Sequence, residues 1–173
     1  MKSTSANTYK DRYLRLSKLG SELGLSFSSH LSLSNQLIGL DGIKKKLLFC
    51  EFKNNLTEYY LIELDKVKSI LVKKIYSGIK AGELSERRLE DFTKSIHLHF
   101  EYIDANDNVA IPFYEREIDG LLNLPRLETV IKNWQMILSK IIGVKDKGVI
   151  KDKNLGKLQS LDRHASPVAT VFK

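Results

Sequence analysis

Apolar and polar positions alternate most cleanly at Ile96, Leu98, Phe100 and Tyr102, which are separated by His97, His99 and Glu101. A period of two sets the first group on one side of an extended chain and the second on the other, so a half-buried strand is predicted. Leu127, Val130, Ile131, Trp134, Ile137, Leu138 and Ile141 recur instead at three- and four-residue steps. That spacing draws an apolar stripe along a helix, with Pro125 in its opening turn and Gly143 placed to stop it. The stripe is wide enough to cover a sheet face. Burying Trp134 and its neighbours there stabilises the domain by several kcal/mol, at about 25 cal/mol per Å².

Between these strong elements and the start of the chain lie weaker signals. Residues 8–24 read as a helix, with Tyr9, Tyr13, Leu16, Gly20 and Leu23 along one stripe. Ser26 to Ser34 is serine-rich and reads as a connector. Leu37, Ile38 and Leu40 form a strand that leads into Asp41-Gly42, a dipeptide suited to a tight turn because glycine accepts positive φ. Lys46–Lys53, Thr57–Leu64 and Lys68–Tyr76 follow as strands, with Asn54-Asn55 as a turn between the first two. Ser77 to Lys94 reads as a longer connection, with Ser85 as the N-cap of two helical turns reaching Phe92. After a turn at 104–108, Val109, Ile111 and Phe113 continue an apolar face, and Pro112 suggests an edge position or a bulge.

The fold class predicted is α+β: an antiparallel, strongly bent sheet or partly open barrel, capped by a C-terminal amphipathic helix and preceded by a further helix. Its core is expected to take Phe49, Ile96, Leu98, Phe100, Ile111 and Phe113 from the strands. Leu127, Val130, Ile131, Trp134, Leu138 and Ile141 complete it from the helix. Three segments are expected: helix and connector over 1–35, the sheet and capping helix over 36–143, and a basic, flexible tail over 144–173. The β-prone end, Val168 to Phe172, belongs to that tail.

A length of 173 residues suits one domain with flanking segments, and 42% hydrophobic against 28% charged residues argues against wholesale disorder. The net charge of +7 is unevenly spread. The first 35 residues hold five basic and two acidic side chains, the last thirty hold seven and three, and the centre is balanced at sixteen of each. A nucleic-acid-binding domain carries its basic footprint on a folded face, so this distribution implies weak attraction to polyanions and no dedicated site. Cys50 is the only cysteine, which removes an intrachain disulfide and any multi-cysteine zinc site. No apolar run approaches the roughly 18 residues that cross a bilayer, and residues 1–13 do not resemble a secretory signal. A cytoplasmic protein, free or peripheral to a membrane, is the expectation.

Six strands followed by a Trp-bearing amphipathic helix resemble the pleckstrin-homology-like superfold over about 36–143. Bacterial proteins with such domains are similar in the Leu40-Asp41-Gly42 hairpin and the Lys- and Phe-rich strand after it. The resemblance implies a bent sheet plugged by the closing helix, with its tryptophan inside. It also implies seven strands, the seventh of which would have to lie in 77–94. Basic residues of the first hairpin hold anionic headgroups in some members. The matching positions here are Lys44 and Lys46, which share a face, with Lys45 opposite and Lys73 and Lys74 as further candidates.

Other chemistry is sparse. His97 and His99 share a strand face at a chelating spacing, but a metal site needs a third ligand and none is identifiable. Cys50 alternates with Leu48 and Phe52 as an inert buried thiol does. Phosphate loops, nucleophile elbows and cofactor motifs are missing from the sequence. The function expected is therefore a non-catalytic binding or scaffold module that engages a protein partner. The alternative is peripheral binding to anionic membrane or nucleic acid through the basic ends and hairpin lysines. A homodimer through Tyr9, Tyr13 and Leu16 is a further possibility.

Overall fold

The structure, a computed structural model, describes residues 9–53, 56–104 and 108–162. The turns expected at 54–55 and within 105–107, and the β-prone end at 168–172, lie outside them. Helix α1 (Tyr9–Glu22) precedes seven strands: β1 (Ser29–Ser32), β2 (Gln36–Asp41), β3 (Lys46–Lys53), β4 (Leu56–Glu63), β5 (Val67–Tyr76), β6 (Thr93–Tyr102) and β7 (Val109–Glu115). Single helical turns α2 (Glu83–Glu86) and α3 (Arg116–Asp119) lie in the later connections, and α4 (Leu124–Asp162) is the last helix. The strands form two antiparallel sheets, β1-β2-β3-β4 and β5-β6-β7, which do not close on one another. The chain is thus α+β, with a helix before and a helix after two open sheets.

The strand not expected from the sequence is β1, which lies in the serine-rich segment read as a connector. Segment 77–94 holds α2 and the 3-10 turn Leu89–Phe92, in keeping with its reading as a connection with helical turns. Ser85 is not its N-cap: Gly82 holds that position with φ 87°, and the Ser85 hydroxyl donates to its carbonyl at 2.6 Å. β1 pairs with β2 through a tight turn at Ser34-Asn35, where the Leu33 N–H donates to the Gln36 carbonyl at 2.9 Å. Leu31 and Leu33 turn inward onto the main core while His30 and Ser32 face water.

β2 and β3 are covered on both faces, which explains why their apolar runs lack alternation. Ile38, Leu40, Leu47 and Phe49 point between the sheets, together with Ile96, Leu98 and Phe100 of β6. Leu37, Leu48, Cys50 and Phe52 point the other way, under Leu16 of α1. Phe27 locks that outer layer. A Cβ on Gly20 of α1 would stand 2.5 Å from one edge of its ring, and a Cβ on Gly39 of β2 would stand 2.7 Å from the other. Leu16 is wholly buried against this sheet, whereas Tyr9 and Tyr13 stay exposed.

At β7 the ladder passes from Ile96↔Tyr114 to His97↔Pro112, leaving Phe113 as the extra residue of a bulge. The bulge turns both Phe113 and Tyr114 inward, and Pro112 lies at the sheet edge. α4 lays Leu127, Ile131, Trp134 and Leu138 on the core, with Trp134 7% exposed and Val130 and Ile141 partly buried beside them. The chain divides into compact units between Ile142 and Gly143. Gly143 does not end the helix; the described residues beyond it, 144–162, are helical as well. Among the described residues no helix is long and apolar enough to cross a membrane.

Candidate functional site

The β2–β3 hairpin is built on Asp41, which is 1% exposed. Its carboxylate accepts the Ser26 N–H at 2.8 Å, the Lys44 N–H at 2.8 Å and the Ile43 N–H at 3.1 Å. The backbone N–H groups of Lys44 and Ser26 hold its pKa below the usual carboxylate range, against the opposing effect of burial. Gly42 is not the residue that takes positive φ. Lys45 does, at 52°, so the chain turns over four residues and not at the Asp-Gly pair alone. Ile43 is left 91% exposed at the tip, beside three lysines.

Those lysines are partly engaged. The Lys44 ammonium donates to the Gly24 carbonyl, Lys45 lies 3.6 Å from Asp65, and Lys46 lies 3.8 Å from Glu63. The last two pairs are long and partly solvated, which makes each of them weak. Lys73 and Lys74 stand in the other sheet, on β5. Lys74 is held by Glu128 of α4 at 2.6 Å. Lys73 is exposed beside His97, its cross-strand partner.

The two histidines stack with ring centroids 6.0 Å apart on the face of β6 turned away from the core. Burial lowers the pKa of both, and Lys73 and then His97 add to the effect at His99. Both are therefore mainly neutral at pH 7. Glu101, next along that face, accepts the Ser69 hydroxyl. Among the described residues no group of three metal-ligating side chains converges. Cys50 is 1% exposed, and burial raises its thiol pKa to about 12.

The open sheets leave edge strands, and these differ. β5 is tied to α4 by two side chains: the Gln135 amide donates to the Ile70 carbonyl at 3.0 Å, and Glu128 accepts from Lys74. β4 ends the four-stranded sheet and, among the described residues, pairs only with β3. It carries Tyr59, 52% exposed, and Tyr60, 50% exposed, the latter stacked on Phe49 at 6.0 Å. Tyr60 shares its strand face with buried Ile62, while Tyr59 lies on the opposite face. The sequence assigns neither tyrosine a role, because the end position of β4 is revealed only by the pairing order. Comparison with protein-family models, curated proteins and solved structures found no match.

Proposed function

We propose that this chain is a non-catalytic binding module of pleckstrin-homology-like architecture, acting in the cytoplasm, whose β4 edge receives a protein partner. Seven strands in a four-plus-three arrangement and a closing helix with a buried Trp134 support the architecture. The observation that carries the function is the pair of half-exposed tyrosines on an edge strand whose outer side pairs with no described strand. An extended segment of a partner adds to such an edge by main-chain hydrogen bonds, and tyrosine is enriched in protein interfaces. The test compares capture by the full chain with capture by a Tyr59→Lys, Tyr60→Lys variant whose circular dichroism is unchanged. A partner whose affinity falls by about tenfold or more in the variant is expected. Equal capture by both proteins contradicts the proposal.

A second reading rests on Ile43, exposed among Lys44, Lys45 and Lys46 at the hairpin tip. An apolar residue framed by cations suits the surface of an anionic bilayer. Sedimentation with phosphatidylserine vesicles is then expected to fall with salt and with Ile43→Glu, and binding indifferent to both removes this reading.

A further inference from the structure

We propose that a small cavity at the seam of the two sheets binds ordered water, which carries hydrogen bonds that Tyr114 and Gln36 do not make within the protein. The cavity measures about 30 Å³ and is lined by Gln36 of β2 and Tyr114 of β7, with Ser34, Glu51 and Asp119 around them. Tyr114 is 1% exposed and Gln36 6% exposed. Among the described residues neither the Tyr114 hydroxyl nor Gln36 Oε1 has a hydrogen-bonding partner. Leaving a buried hydroxyl and a buried amide oxygen unpaired costs more stability than a typical hydrogen bond returns.

The donor and acceptor inventory selects the ligand. Water accepts from the tyrosine O–H and donates to the glutamine oxygen, so one molecule satisfies both groups. A single water needs roughly 10–15 Å³ of such space, which leaves room for about two. A cation is disfavoured because two of the three carboxylates in the lining, Asp119 and Glu51, are already engaged, the third being Glu115. Asp119 accepts the Ser34 hydroxyl and the Glu115 N–H, and Glu51 is paired with Lys53 at 2.9 Å. The bridge ties β2 of one sheet to β7 of the other, two strands that do not pair.

A crystal structure of the full chain with ordered solvent tests this directly. Density is expected within about 2.7–3.2 Å of both Tyr114 Oη and Gln36 Oε1. A cavity without density, or a direct bond from Tyr114 to a protein group, overturns the proposal. Denaturation of Tyr114→Phe gives an independent sign. Loss of a water-bridged hydroxyl lowers the folding equilibrium constant about fivefold, whereas loss of an unpartnered hydroxyl raises it. A more stable variant therefore also overturns the proposal.

Discussion

Phe27 is held at both ring edges by positions that have no side chain, Gly20 on α1 and Gly39 on β2. The ring cannot retreat from a methyl on one side without meeting the other side, so overpacking is felt in full. Gly39→Ala is expected to destabilise the protein by about 1–3 kcal/mol in urea denaturation. Gly78→Ala, where a Cβ meets nothing within 4 Å, is expected to stay within about 0.5 kcal/mol. Equal effects would contradict the clasp. Neither glycine announces this role in the sequence, because the partner ring lies in a segment that reads as a serine-rich connector.

The histidine pair makes a pH prediction at the same scale. Burial lowers the pKa of His97 and His99 in the folded state, so the unfolded chain takes up protons first as the pH falls. Stability should therefore decline between about pH 7 and about pH 5, as the pH drops through the free imidazole range. A double His97→Gln, His99→Gln variant should flatten that slope in denaturation curves. A slope unchanged by the substitutions would mean that other groups set it.

Among the elements, β6 and the first part of α4 were legible from pattern alone because each buries only one side. β2 and β3 were legible as strands but not as a doubly covered layer, since a continuous apolar run does not say what lies on its second face. α1 supplies that cover. Leu16→Ala is expected to cost about 3 kcal/mol by leaving a cavity above Leu48 and Cys50. The same variant should open Cys50 to a thiol reagent faster than in the native protein, where the buried thiol with its pKa near 12 stays protonated and shielded. Rapid native labelling that Leu16→Ala leaves unchanged would show that α1 does not cover this face. β1 escaped detection for a different reason: four residues with serine at both ends carry too little alternation to separate a strand from a linker.

At the scale of the molecule, the six strands after β1 and the helix that follows them could be read from the chain. The break between a four-stranded and a three-stranded sheet could not, because pairing is decided by contacts far apart in sequence. The candidate anion residues show the same gap. Composition places Lys44, Lys46, Lys73 and Lys74 in the chain, but only the fold distributes them over two sheets and binds Lys74 to Glu128. The exposed tyrosines of β4 became visible only once β4 proved to end its sheet. Both proposed contact surfaces depend on α4 plugging the space between the sheets with Trp134, the single tryptophan. Its fluorescence in the native full-length protein measures that burial directly. Emission to the blue of free indole, with little quenching by iodide until the chain is unfolded, is the expected result. Red-shifted emission that iodide quenches freely in the native state would contradict the packing on which the fold rests.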